Sequence, residues 1–119
     1  MTRRIDSMLN SGDVVDVDLG MPTGPEAGLI RPAVVVTAQS VLAGQPTVVQ
    51  VVPLTRTLRG YESEVVIAAD DDNGLEDDSA AQCQHIRAIA HSRVRERVGS
   101  VGAAALAQVR DSLAVLLDT

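Results

Sequence analysis

The sequence contains almost no aromatic residues. Tyr61 is the only aromatic side chain among 119 residues, and both tryptophan and phenylalanine are absent. This excludes an aromatic core, and it nearly excludes a nucleic-acid surface on which bases stack against rings. The core must therefore be aliphatic, and the supply of Val, Ala, Leu and Ile suits β-strands with an Ala/Leu helix.

Lysine is also absent, so all ten basic residues are arginines. The planar guanidinium suits bidentate contacts with phosphate or bases better than an ammonium does, although genomic composition explains the bias equally well. The net charge of −6 argues against broad, sequence-blind attachment to nucleic acid. Acids concentrate in "DDDNGLEDD" at 70–78, whereas Arg87, Arg93, Arg95 and Arg97 follow downstream, so a local basic surface is possible on an acidic protein.

Cysteine and long apolar runs are equally scarce. Cys83 is alone, which excludes an internal disulfide and indicates a buried apolar filler. No window of eighteen apolar residues occurs, and the first ten residues, "MTRRIDSMLN", lack the apolar core of a signal peptide. We therefore expect a cytoplasmic protein without a membrane segment.

The apolar pattern predicts several short strands and one terminal helix. No helix separates the strands, which excludes parallel βαβ units and favours a small, curled antiparallel barrel. We expect an N-terminal tail at 1–11 and a single domain at 12–119. The predicted elements are strands at 13–19, 33–38, 47–54 and 63–68, one bent strand or two at 80–90, and an amphipathic helix from Gly102 onward.

The spacing of the candidate ligand residues excludes the common metal and cofactor motifs. If Gly74 is the invariant glycine of a calcium loop, Ala69 and Ala80 occupy positions that require acidic ligands, so the segment is interpreted as a solvated acidic turn. No Cys/His cluster has zinc spacing, and no phosphate-binding or dinucleotide-binding glycine pattern is present. A Cys83–His85 nucleophile pair has no evident third orienting group. We expect no metal and no cofactor.

Arg31 stands directly before a proline, at the mouth of the buried strand "AVVV". The proline biases the backbone of Arg31 towards an extended form and so helps to fix its direction. An ion pair with Glu26 or Asp18 would give the side chain a purely structural role. The alternative is a site that needs a fixed positive charge.

Four short motifs follow one another between about Gly12 and Leu117. They are a Gly-Asp pair opening an apolar strand, a glycine-rich loop leading to Arg-Pro, a Pro-Leu-Thr strand end, and a polar pair before Ile-Arg. Their residues are Gly12, Asp13, Asp18 and Leu19; Gly24, Glu26, Gly28, Arg31 and Pro32; Pro53, Leu54 and Thr55; and Gln84, His85, Ile86 and Arg87. In this order and spacing the motifs resemble the MazF/PemK (Kid) toxins of toxin–antitoxin systems.

The resemblance implies an SH3-like barrel, a homodimer, and an endoribonuclease that cuts single-stranded RNA without a metal and is inhibited by a cognate antitoxin. It credits the chemistry to Arg31 and Thr55. Attack of a ribose 2′-OH on its own phosphorus builds negative charge, which a fixed guanidinium and a hydroxyl donor would stabilise. The residues expected to bind RNA are Glu26, Arg56, Ser79, Gln84 and His85.

The groups that move protons stay open at this stage. Arginine has a pKa above about 12 and is a poor general base in water, so Arg31 is assigned charge stabilisation only. His85 and His91 are the titratable alternatives. The chain also departs from the family at Val15, where an aromatic residue is common, and at Gln84-His85, where Glu-Gln is common, so base recognition would rest on hydrogen bonds.

A different class of function on the same barrel is a non-catalytic binding module, such as a gyrase poison like CcdB. Those proteins rely on a terminal tail that contains tryptophan and glycine. This chain ends in "AVLLDT", which contains neither residue. The presence of Arg31 together with Thr55 favours the nuclease.

Overall fold

The computed structural model describes residues 8–20 and 29–119, and the fold within them is mainly β with a terminal helix. The strands alternate with short turns because β-branched runs are interrupted by Gly, Pro and Asp. The elements are β1 (Asp13–Asp18), β2 (Ile30–Val35), α1 (Gln39–Leu42), β3 (Val48–Thr55), β4 (Glu64–Ile67), β5 (Ser79–Gln82), β6 (Arg87–Ala90), β7 (Val94–Ser100) and α2 (Gly102–Leu117).

The seven strands form an antiparallel sheet in the order β4-β5-β3-β2-β1-β7, and β6 pairs with the first half of β3. The strands predicted at 33–38 and 47–54, whose apolar runs are too continuous to face water, correspond to β2 and β3 and lie inside this order. No pairing joins β4 to β7 within the part of the chain that the structure describes, so the sheet is curled without being closed. The predicted antiparallel, mainly β fold is confirmed.

Each face of the curled sheet covers its own aliphatic core. Because strand side chains alternate between faces, Val15 and Val17 join one cluster while Val14 joins the other. The second cluster also contains Val109 and Leu113, through which α2 packs on the sheet. The predicted amphipathic helix is confirmed.

Four features differ from the sequence expectation or refine it. A one-turn helix, α1, lies between β2 and β3, where no helix was expected, although the two strands it joins are antiparallel. The segment 80–90 forms two strands, β5 and β6, separated by a 3₁₀ turn at Cys83–His85. Strand β7 was not predicted, because its alternation of arginine with other polar residues hides the period of a strand. Leu9, which falls in the proposed tail, is buried in the first core cluster.

The acidic segment at 70–78 is docked on β7 rather than fully solvated, which corrects the sequence interpretation. Asn73 is buried, its side-chain amide donates to the carbonyl of Ala68, and its amide oxygen accepts from the backbone N–H of Asp70 and Leu75. A Cβ at Gly74 would lie 2.5 Å from the Val98 carbonyl oxygen, so only glycine permits this approach. The turn therefore forms a fixed wall beside the start of β2 and the C-terminal end of β3.

Candidate active site

The C-terminal end of β3, the start of β2 and the acidic turn enclose an open cleft of about 720 Å³. Four of the residues predicted from the sequence to act on RNA line this cleft: Arg31, Thr55, Arg56 and Ser79. Arg31, Thr55 and Ser79 lie on β2, β3 and β5, which are neighbours in the sheet, and Arg56 directly follows β3. The fold thus assembles the central part of the predicted site.

Arg31 is half-buried and is held by a neutral acceptor. Its Nη2 donates to the backbone carbonyl of Leu54 at 3.3 Å. Asp18 is not its partner, since the Asp18 carboxylate accepts from the Gly20 N–H at 2.9 Å. Arg31 forms no ion pair with any residue in 8–20 or 29–119, so its positive charge is not neutralised by them.

Thr55 ends β3 next to Arg31. Ala33 pairs with Pro53, and the same register extended by two residues puts Arg31 opposite Thr55. The Thr55 hydroxyl oxygen accepts from the Thr57 N–H at 3.2 Å, which leaves its proton free for donation. A guanidinium and a hydroxyl donor therefore stand side by side at one end of the sheet.

Arg56 and Ser79 line the cleft with different roles. The Arg56 guanidinium meets the Asp77 carboxylate at 3.3 Å, with the two side chains 76% and 57% exposed. Ser79 is buried, and its hydroxyl donates to the Asp77 carbonyl at 3.0 Å. Ser79 thus fixes the acidic turn, whereas Arg56 is available to an incoming anion at the cost of a weak surface pair.

Gln84 and His85 lie outside the cleft, in the 3₁₀ turn between β5 and β6. The Gln84 amide donates to Glu64 at 2.7 Å and accepts from the Ser63 hydroxyl at 2.9 Å. The structure therefore does not bring these two residues to Arg31. Glu26 lies outside the described residues.

Glu64 is the centre of this second polar cluster. Its carboxylate also accepts from Arg59 at 2.5 Å, and Arg59 stacks over Tyr61 with the guanidinium carbon 4.5 Å from the ring centroid. Burial acts to raise the pKa of Glu64, but hydrogen bonds from Gln84, Arg59 and Gln82 outweigh it and lower the pKa. We refer to Arg59, Tyr61, Glu64 and Gln84 as the Glu64 cluster.

Asp16 is a cleft residue that the sequence analysis did not select. It lies on β1, directly opposite Pro32 of β2 and Glu96 of β7. Burial, followed by repulsion from Glu96, raises the pKa of its carboxyl. The available signal was an acid between Val15 and Val17 in the first predicted strand, where a period of two is typical of a half-buried strand with its acids on the other face.

The histidines that were considered for proton transfer, His85 and His91, do not line the cleft. Within 8–20 and 29–119, no group of three or more His, Cys, Asp and Glu side chains is arranged to hold a metal ion. In the same residues, no helix has the length and apolarity needed to cross a membrane.

A family model described as PemK-like, MazF-like toxin of type II toxin–antitoxin systems matches residues 10–117. The chain belongs to this toxin family. Over 117 residues it is 38% identical to endoribonuclease MazF9 of Mycobacterium tuberculosis, a match that covers 93% of this chain and 98% of that protein.

Solved structures of MazF toxins share the fold. The crystal structure of MazF from Deinococcus radiodurans is 29% identical, with a TM-score of 0.80 over 96% of this chain and 100% of that one. A MazE–MazF crystal structure from the same organism is 27% identical, with a TM-score of 0.74 over 96% of this chain and 99% of that one. These matches favour the MazF-type toxin over the gyrase-poison alternative.

Proposed function

We propose that this MazF-family chain is a toxin endoribonuclease that cleaves single-stranded mRNA by attack of a ribose 2′-OH on the adjacent phosphate. One observation carries the proposal. The Arg31 guanidinium is held by a backbone carbonyl beside the Thr55 hydroxyl in an open cleft, and no residue in 8–20 or 29–119 forms an ion pair with it, so none of these residues neutralises the charge that an anion would meet.

The geometry suits charge stabilisation in the transition state. When the 2′-oxygen attacks, negative charge grows on the non-bridging phosphoryl oxygens, and Arg31 and Thr55 are placed to donate to them. The 2′-hydroxyl gives up its proton to water in the open cleft as the new phosphorus–oxygen bond forms. The bond from phosphorus to the 5′-oxygen breaks, and that oxygen takes up a proton from water. The products are a 2′,3′-cyclic phosphate and a 5′-hydroxyl.

Contacts with the rest of the RNA divide between two places. Arg56 lies at the cleft and is proposed to bind a flanking phosphate. Gln84 belongs to the Glu64 cluster and His85 follows it in the same 3₁₀ turn, so both would contact nucleotides further along the strand. Glu26, which lies outside the described residues, is proposed from the sequence motif alone.

The same proposal includes partners. The similarity to a MazE–MazF crystal structure supports inhibition by a small cognate antitoxin. The exposed side chains of Val115, Leu116 and Leu117 at the end of α2 add apolar surface that pairing about a two-fold axis can cover, which supports a homodimer. We propose that the protein acts in the cytoplasm, where mRNA is available.

The decisive experiment incubates the purified protein with a mixed-sequence single-stranded RNA in excess EDTA. We expect cleavage that leaves 2′,3′-cyclic phosphate ends, detected by mass spectrometry, and suppression of cleavage by the antitoxin. Cleavage that requires an added divalent metal would contradict the metal-free mechanism. Absence of cleavage on any RNA would contradict the proposed function.

A further inference from the structure

Asp16 presents a half-buried carboxylate to the cleft without a partner. Among the residues that the structure describes, none donates a hydrogen bond to it or forms an ion pair with it. Other carboxylates near the strand ends are satisfied, since Asp13 pairs with Arg97 at 3.1 Å and Asp18 accepts from the Gly20 N–H. Asp16 alone on β1 keeps its acceptor capacity unused.

The position of Asp16 disfavours folding. It lies directly opposite Glu96 in the β1–β7 register, and like charges on directly opposed residues of a sheet repel. An unpaired, half-buried carboxylate beside a second acid costs stability that a neutral residue would not. A group retained in such surroundings within a cleft is a candidate for contact with the substrate.

The placement of charges around the cleft separates phosphates from bases. Asp16 and Arg31 both line the cleft, and Asp16 lies opposite Pro32, the residue that follows Arg31. A carboxylate repels phosphate, and Glu76 of the acidic turn adds a further acid to the lining of the cleft. A strand of RNA that places its scissile phosphate on Arg31 must therefore turn a base, not a phosphate, towards Asp16.

An ionised carboxylate can only accept hydrogen bonds. Adenine, cytosine and guanine each carry an exocyclic amino group that donates, whereas uracil carries two carbonyl acceptors and a single ring N–H. No aromatic side chain lines the described cleft, so its described residues offer a base no ring to stack on, and base selection rests on hydrogen bonds. The chemistry at Asp16 thus distinguishes amino-bearing bases from uracil.

We propose that Asp16 is a specificity-determining residue that selects, beside the cleaved bond, a base with an exocyclic amino group over uracil. This inference rests on the proposed endoribonuclease function and adds the class of base that the site accepts. It assigns Asp16 no part in bond making or breaking.

The inference also predicts how selectivity changes with pH. Glu96 lies directly opposite Asp16 on β7, with Arg95 and Arg97 beside it in the sequence, and Asp18 lies on the same strand as Asp16. The other charged residues that line the cleft are Arg31, Arg56, Glu76 and Asp77. Burial and Glu96 raise the pKa of Asp16, so the carboxyl becomes protonated at a higher pH than an ordinary aspartate. A protonated carboxyl also donates, so it accepts uracil as readily as an amino-bearing base.

The test uses DNA oligonucleotides that contain one ribonucleotide, because only the bond after that ribose can be cleaved by 2′-OH attack. The base on each side of this bond is varied among all four, and kcat/KM is measured at pH 7.5. We expect the parent to prefer amino-bearing bases over uracil by about tenfold at one of the two positions. The variant Asp16→Asn, whose amide both donates and accepts, should reduce this ratio to about one while still cleaving the uracil substrate.

Three further variants complete the design. Asp111→Asn removes one negative charge from an exposed site on α2 and should keep the parental ratio. Asp16→Glu retains the carboxylate and should keep most of the preference. Glu96→Gln removes one cause of the raised pKa, so the pH at which the parental ratio is half lost should move lower.

The outcomes separate the two claims. A parent that cleaves all four bases equally, or an Asp16→Asn variant that keeps the parental ratio, overturns the inference and leaves the proposed function intact. Loss of all cleavage in folded Asp16→Asn also overturns it, because a specificity role predicts surviving cleavage of the uracil substrate. A folded parent that cleaves no RNA overturns the proposed function, and the inference with it.

Discussion

Arg31 and Arg59 show two ways in which one fold holds a guanidinium. Arg59 meets the Glu64 carboxylate at 2.5 Å and lies over Tyr61, so its charge is compensated by the protein itself. Arg31 donates to the Leu54 carbonyl at 3.3 Å and forms no ion pair with any described residue. The carbonyl fixes direction but does not neutralise charge.

The difference assigns the two arginines to different tasks. A guanidinium bound by a carboxylate stabilises the connection between β3 and β4, and an incoming phosphate must compete with that carboxylate. A guanidinium bound by a carbonyl is preorganised for an anion, and this preorganisation is the source of electrostatic stabilisation in a transition state. Location also matters, because the acceptors of Arg110 on α2 among the described residues are likewise neutral, yet Arg110 lies outside the cleft.

The largest effect is expected for Arg31→Lys. An ammonium on a flexible stem cannot reproduce the fixed fork, and loss of one transition-state donor costs about 10²–10³ in rate. We expect that decrease in kcat/KM on a single-stranded RNA, with a melting temperature close to that of the parent. Arg110→Lys is the matched control and should cleave at the parental rate. Equal rates for the two variants would contradict the role assigned to Arg31.

The next largest effect concerns the hydroxyl of Thr55. Thr55→Ala removes the donor beside Arg31 and should lower kcat by up to about 10²-fold, the lower end for one such donor. Thr55→Ser keeps the hydroxyl and should retain more activity. The ratio of kcat values for the two variants is the measurement, and Ser and Ala variants of equal activity would show that Thr55 serves only the strand end.

How far the sequence predicted this site depends on where each residue lies. Arg31 and Thr55 stand in motifs bordered by proline and apolar runs. The sequence therefore predicted both residues as site candidates and placed each at the end of a strand. Asp16 was missed because the alternation along a strand shows only on which face of the sheet a side chain lies. It does not show which residues of a neighbouring strand or of a distant turn form a cleft on that face. The 3₁₀ turn that moves Gln84 away from the cleft likewise depends on how β5 and β6 pair with β3.

The variant Glu64→Gln tests Arg59, the arginine whose charge is compensated by a carboxylate. The Glu64 side chain is 2% exposed and accepts from Arg59 and two glutamines. Loss of its charge should lower the free energy of unfolding by about 1.5 kcal/mol, the lower end for hydrogen bonds to a charged group because the Arg59 end reaches solvent. Urea denaturation measures this change, while kcat should fall far less than in Arg31→Lys.

The pH dependence of that difference gives a second measurement. The pKa of Glu64 is lowered in the folded protein, so its contribution is present above the ordinary value of 4.5 and is lost as the pH falls through the folded pKa. The parent and Glu64→Gln should therefore differ most at neutral pH and converge in acid. A difference that is constant from pH 7 to pH 3 would show that the carboxylate charge is irrelevant.

The smallest effect is expected for Arg56 and Asp77, because Arg56 lies in the cleft like Arg31 but is paired with a carboxylate like Arg59. Their ion pair is exposed on both sides, so Asp77→Asn should change stability by no more than about 0.5 kcal/mol. It should, however, release Arg56 for phosphate and lower the KM for RNA by about two- to fivefold, the factor that corresponds to the free energy of an exposed ion pair.

The variant Arg56→Gln tests the same pair from the other side. It should raise KM and reduce the slope of log KM against log salt by about 0.7, the value for one phosphate contact on a single strand. In the double variant the benefit of Asp77→Asn should disappear, because the carboxylate acts through Arg56. If Asp77→Asn lowers KM equally in both backgrounds, the acid repels RNA directly and Arg56 does not bind phosphate.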